Sequence, residues 1–119
     1  MDFVEAVRRG CEQTIGGIIL CGSLYSIPRT ACVLGAALLG LGLPASSMTT
    51  RMAIIALRDV FPVLSQRRSC PVPDCCSLPD PSYSPQCDAA LLAVHLNDDH
   101  RWQRMRIAHY IQDGDDSGS

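Results

Sequence analysis

The stretch Ala31-Cys32-Val33-Leu34-Gly35-Ala36-Ala37-Leu38-Leu39-Gly40-Leu41-Gly42 decides what kind of fold this chain adopts. It opens the longest apolar run, which ends at Pro44. That run is about 13 residues long, whereas a membrane span takes about 20. Three glycines interrupt it. It therefore reads as a buried core helix over 31–41, with Thr30 placed to cap its first turn. Alanine and glycine leave little side chain on at least one face, so another backbone can approach closely. That neighbour is either part of the same chain or a second copy, which makes residues 31–42 a candidate homodimer seam.

Outward from this helix, the chain reads as one domain. Its 119 residues suffice for one core, and 47 % hydrophobic residues is ordinary for a globular protein. Phe3, Val4, Val7, Cys11 and Ile15 recur at helical steps and predict a first helix over 2–15, capped by Asp2 and ended by Gly16-Gly17. Ile18-Ile19-Leu20 and Leu24-Tyr25-Ser26-Ile27 flank Cys21-Gly22-Ser23 and predict a short hairpin. A helix is expected from Thr49 to Val60. One stripe holds Met52, Ile55 and Ala56, a second holds Ile54, Leu57 and Phe61, and Pro62 stops it. Asp88 starts another, with Ala90, Leu91, Val94 and His95 on one face. Asn97-Asp98-Asp99-His100-Arg101 reads as a polar turn, Trp102 as a core anchor, and 103–111 as the last helix. The expected fold is thus mainly α, with four to five short helices, a small β-hairpin and a Pro/Cys-rich loop. Residues 1–112 form the domain and 113–119 a flexible acidic tail.

Charge narrows the function. The formal net charge is −2, and all ten basic residues are arginine. Nucleic-acid binding without sequence preference draws on a basic footprint, which this balance does not supply. Seven cysteines is a high and odd count. Met1-Asp2-Phe3-Val4-Glu5 lacks the basic start of a signal peptide. A reducing cytoplasm is the expected compartment, where clustered cysteines bind metal or stay reduced.

The clustered cysteines lie between 65 and 87. Pro71, Pro73, Pro79, Pro81 and Pro85 exclude regular helix or central strand there. Cys70 and Cys75 are spaced C-x4-C, Cys76 is adjacent, and Cys87 follows ten residues on. Tetrahedral zinc takes four thiolate or imidazole ligands. His95 and His100 lie just downstream, so the candidate ligands are Cys70, Cys75, Cys76, Cys87, His95 and His100, with zinc the ion they suit. Free thiols in a proline-rich loop are the competing reading, and a disulfide a third. His95, His100 and Asp98 would also suit a metal-dependent hydrolase. No nucleophile elbow or phosphate loop accompanies them, and a helix-ending turn explains Asn97 and Asp98 equally. The helices flanking this turn resemble a helix-turn-helix in spacing, with Arg101, Trp102, Arg104 and Arg106 as candidate binding residues. Five aspartates surround them.

Two strings carry a family resemblance. Ala31-Cys32-Val33-Leu34-Gly35-Ala36-Ala37 through Gly42 is similar to a "CALGAA…G.G" element. His95-Leu96-Asn97-Asp98-Asp99-His100-Arg101-Trp102, with Arg104, Ile107 and Ala108, is similar to an "HLND.H.W.R..IA" element. Together they resemble small proteins of tailed phages and prophages, in which a Cys-Pro segment precedes the second element, as Cys70-Pro71 does here. This chain departs from that pattern at Gln103 and Met105, where a Ser or Thr cap and an acid are usual. The resemblance implies a bacterial cytoplasmic setting and no particular reaction. The functional expectation is a non-enzymatic interaction factor, a phage or prophage accessory protein acting on a host or phage protein. The alternative is a zinc-stabilised, helix-turn-helix-like nucleic-acid binder.

Overall fold

The computed structural model describes residues 1–17, 30–71 and 86–114. The fold is mainly α. Five helices, α1 (Phe3–Cys11), α2 (Val33–Gly40), α3 (Thr50–Val60), α4 (Ala89–Asp98) and α5 (Arg104–Asp113), enclose one core. Two minimal strand pairs accompany them. β1 (Ile15–Gly16) runs parallel to β2 (Thr30–Ala31), and β3 (Arg67–Ser69) antiparallel to β4 (Gln86–Asp88). The hairpin expected at 18–27 lies outside the described residues.

α2 is the centre of the molecule. Ala31 through Leu38 are all buried. One glycine on each helix lets α1 and α2 approach until the backbones touch. A Cβ at Gly10 would fall 1.8 Å from the carbonyl oxygen of Ala36, and one at Gly40 would fall 1.9 Å from that of Ala6. The close approach read from residues 31–42 is thus made by α1 of the same chain. The cap differs from expectation. Cys32, not Thr30, precedes the first turn, its Sγ accepting from the Gly35 amide at 3.4 Å. Thr30 is drawn into β2 instead.

α1 begins as expected, with Asp2 Oδ1 accepting from the Glu5 amide at 2.8 Å. It ends four residues earlier than Ile15. The Thr14 hydroxyl donates to the Gly10 carbonyl at 2.8 Å, satisfying a helix-end acceptor from the side chain. The chain then extends into β1, leaving Ile15 exposed rather than in the core.

α3 starts on Thr49, whose hydroxyl accepts from the Met52 amide at 3.2 Å. Only one of its two apolar stripes is buried: Ala53, Ile54 and Leu57, with Phe61 edge-on to Phe3 at 5.7 Å between ring centres. Met52 and Ile55 face outward, correcting the expectation of burial on two sides. Pro62 opens a 3-10 turn over Pro62–Ser65. α4 starts on Asp88, whose Oδ1 accepts from the Leu91 amide at 3.0 Å and whose other oxygen pairs with Arg58. Its core face is Ala89, Ala90, Leu92, Ala93 and Leu96, so Leu91 turns outward.

α5 forms although Gln103 makes no side-chain cap bond. Long-range contacts hold it. Ile107, Ala108 and Ile111 are buried. Arg104 reaches Thr14 Oγ1 at 2.6 Å, the Thr14 carbonyl at 3.0 Å and the Ala31 carbonyl at 3.3 Å. Gln112 Oε1 accepts from the Val4 amide at 3.0 Å. The helix runs to Asp113 and closes on Gly114 in the left-handed conformation, φ 82°. Residues 115–119, most of the expected tail, lie outside the described residues. No described helix is long and apolar enough to cross a membrane.

Candidate metal centre

Three side chains distant in sequence meet where the strand pair abuts α4. Cys70 directly follows β3, His95 lies in the last turns of α4, and His100 lies in the turn that leaves it. β3 is held in place by its pairing with β4, Arg68 opposite Cys87 and Ser69 opposite Gln86. The His100 and His95 Nε2 atoms are 3.2 Å apart, and Cys70 Sγ lies 3.7 Å from His100 Nε2. The two rings stand edge to face at 86°. One ligand atom from each of the three residues lies within 4.8 Å of the others, close enough to hold a metal ion. All three residues are half-buried. Exclusion of part of the water strengthens charge interactions there without isolating the site.

Asp99 completes the arrangement. Its Oδ2 lies 2.7 Å from His95 Nδ1. A histidine that donates Nδ1–H to a carboxylate keeps its Nε2 lone pair available, the usual outer-shell arrangement around a ligating imidazole. His95 Nε2 is the atom turned toward His100. Without an ion, the same geometry suits a proton held between the two Nε2 atoms. Either way the carboxylate sets which nitrogen of His95 faces the cluster.

Of the six ligands expected from the sequence, the structure brings together Cys70, His95 and His100. Cys75 and Cys76 lie outside the described residues, as does the side chain of Cys87, whose backbone is in β4. Asp98, the acid considered alongside the histidines, accepts from Asn97 Nδ2 at 2.8 Å. Asp99 was the acid to choose, because it stands four residues after His95, one helical turn away on the same face.

Asn97 is a further residue whose role the sequence did not single out. It is buried. Its Oδ1 accepts from the Val33 amide at 3.1 Å and its Nδ2 donates to the Gly17 carbonyl at 2.9 Å. It thereby caps α2 from α4 and fixes the helix that carries His95.

The four candidate binding residues have different surroundings. Arg104 is turned inward onto Thr14 and Ala31. The Arg106 guanidinium lies 3.6 Å from the centre of the Trp102 ring, and Trp102 meets Tyr110 edge-on at 6.0 Å. Arg101 is exposed with φ 54°, a left-handed conformation uncommon for a residue with a side chain. Arg101, Trp102 and Arg104 also border a cavity of about 590 Å³, which none of the three clustered residues lines.

Two other cysteines lie away from this cluster. Burial pushes the Cys11 and Cys32 thiols above their ordinary range. The Arg104 charge partly opposes this at Cys11, and the Gly35 amide does so at Cys32. Cys32 is a core thiol, and Cys11 is half-buried against the core.

No protein-family model, no curated protein and no solved structure matches this chain.

Proposed function

We propose that this chain is a small non-enzymatic interaction protein knotted by one zinc ion on Cys70, His95 and His100. The observation that carries the reading is the spacing of the ligand atoms. Tetrahedral zinc with Zn–N of about 2.05 Å and Zn–S of about 2.3 Å has N–N edges of about 3.3 Å and N–S edges of about 3.6 Å. The Nε2–Nε2 distance of 3.2 Å and the Sγ–Nε2 distance of 3.7 Å lie close to these edges. A fourth ligand completes a closed structural site, and the remaining cysteines of the loop, Cys75, Cys76 and Cys87, are its source. The ion's role is to clamp the strand pair to the α4–α5 turn. The surface held around these three residues then meets a partner. The resemblance of the histidine-bearing string to tailed-phage proteins supports a phage or host protein as that partner, in a bacterial cytoplasm.

The nucleic-acid alternative draws on Arg101, Arg104 and Arg106 together, and two of these three are engaged within the chain. A duplex-DNA titration at two salt concentrations tests it, with no salt-dependent binding expected.

Metal analysis and cobalt substitution test the main reading. Purified protein is expected to carry one equivalent of zinc. The cobalt form is expected to show the intense visible bands of a tetrahedral thiolate site. Cys70→Ser, His95→Ala and His100→Ala should each lower occupancy, and Cys→Ser changes at 75, 76 and 87 should assign the fourth ligand. Zinc below about a tenth of an equivalent, with no cobalt spectrum on titration, would remove the reading.

A further inference from the structure

The outward face of α3 carries a pattern that matches itself. Met52 and Ile55 are 52 % and 53 % exposed, and Leu91 of α4, beside them, is 47 % exposed. These are large apolar side chains left in water on one side of the molecule. With Thr50, Arg51, Ile54 and Arg58, Ile55 and Leu91 line a groove of about 470 Å³ between the two helices. Arg51, Ile55 and Asp59 follow one another at four-residue steps along the same face. Arg51 and Asp59 are both exposed, and neither has an ion-pair or side-chain hydrogen-bond partner among the described residues. Arg58, by contrast, is held by Asp88.

We propose that this face is a self-association surface, on which α3 of a second copy docks antiparallel about a two-fold axis through Ile55. In that arrangement, positions equidistant from Ile55 face each other across the axis. Ile55 meets Ile55. Arg51 of each copy meets Asp59 of the other, giving two symmetric ion pairs from two charges that lack an ion-pair partner among the described residues. Met52 of each copy faces Arg58 of the other, so its thioether lies along the groove lined by Ile54, Ile55 and Leu91. A parallel arrangement would instead set Arg51 against Arg51 and Asp59 against Asp59. The charge order thus selects the antiparallel two-fold dimer over the parallel one. An 11-residue helix is about 16 Å long. One such face buries less than the roughly 1,200 Å² typical of stable complexes, so the dimer is reversible and concentration-dependent.

Sedimentation equilibrium on the full chain, once with one equivalent of zinc and once with chelator, tests this independently of the metal reading. The expected result is a monomer–dimer equilibrium in both conditions. Ile55→Asp should abolish it. Arg51→Asp and Asp59→Arg should each weaken it about tenfold, because each change converts two symmetric pairs to repulsions. The double variant R51D/D59R should restore it to within about threefold. All these positions are exposed, so circular dichroism should show unchanged helix content. A monomer up to about 1 mM would overturn the proposal and leave the face to a different protein. A dimer indifferent to Ile55→Asp would overturn it, as would a double variant no better than the singles. So would a dimer that vanishes with chelator yet ignores the α3 substitutions.

Discussion

The α1–α2 crossing and the Cys70–His95–His100 junction are assembled on opposite principles. At the crossing, side chains are removed so that backbones touch, and the contact is made by two helices that are complete in themselves. At the junction, side chains are added to draw together a strand end, a helix and a turn. The first is stabilised by dispersion and apolar burial, which depend on shape and persist across ordinary buffers. The second depends on ligand atoms that attract one another only through what lies between them, a proton or an ion. One region is therefore intolerant of volume and indifferent to solution chemistry, and the other is the reverse.

Substitution at the crossing should have the largest effect. Gly10→Val places methyl groups where the Ala36 carbonyl stands, and neither helix backbone can yield without uncovering the core around Val7 and Leu34. We expect destabilisation of about 3 kcal/mol or more, read by urea unfolding, and no rescue by zinc. Gly40→Ala tests the other end of the same contact, against the Ala6 carbonyl. A fully stable Gly10→Val protein would show that the two helices do not touch here, and the contrast drawn above would fail with it.

At the junction the informative substitution is Asp99→Asn. It removes the carboxylate from His95 Nδ1 while keeping the shape. Outer-shell partners of this kind contribute about 10- to 100-fold to metal affinity. We expect zinc affinity to fall by about that range in a chelator competition, with the stability of the metal-free protein nearly unchanged. Asp98→Asn should leave affinity close to wild type, because Asp98 is turned to Asn97. Equal effects from both variants would mean that general negative charge, not His95 orientation, is what the ion responds to.

These contrasts also explain what was legible beforehand. The cap at Asp2 was readable because its side chain bonds an amide three residues away, and the helix starts read at Thr49 and Asp88 prove to carry the same kind of bond. The apolar run at 31–42 announced a buried helix because its composition admits little else. The end of α1 was not readable. Thr14 and its neighbours are held by Arg104, 90 positions along the chain. The outward turn of Met52 and Ile55 was equally hidden, since periodicity defines two stripes on α3 but not which one meets α2. In the site, His95 and His100 stood out by residue type, and Cys70 as part of a cluster. That Cys70 comes to the histidines depends on the register of β3 and β4, which no local pattern encodes. α5 carries the same lesson from the other side. Its missing cap suggested a weak start, yet a fork from Arg104 and burial of Ile107 and Ile111 hold it.

The smallest expected effect is on pH, and it separates the two kinds of cysteine. Cys32 sits in the core at the start of α2, and its thiol is raised above 9.0 chiefly by burial. Cys11 is raised in the same direction. Unfolding releases both to their ordinary range. Above about pH 9 the unfolded chain therefore binds fewer protons at these positions than the folded one, and stability falls as pH rises. Below that pH both states hold the proton, and the two thiols contribute no slope. Urea unfolding of the metal-free protein between pH 7 and about 10.5 should show a plateau and then a decline. Cys32→Ala should flatten that decline while costing some stability at every pH. Cys70→Ser should leave the slope from Cys11 and Cys32 intact. If instead Cys70→Ser removed the alkaline decline and Cys32→Ala did not, the proton-sensitive thiol would belong to the junction. The α2 cap would then be a site of packing alone.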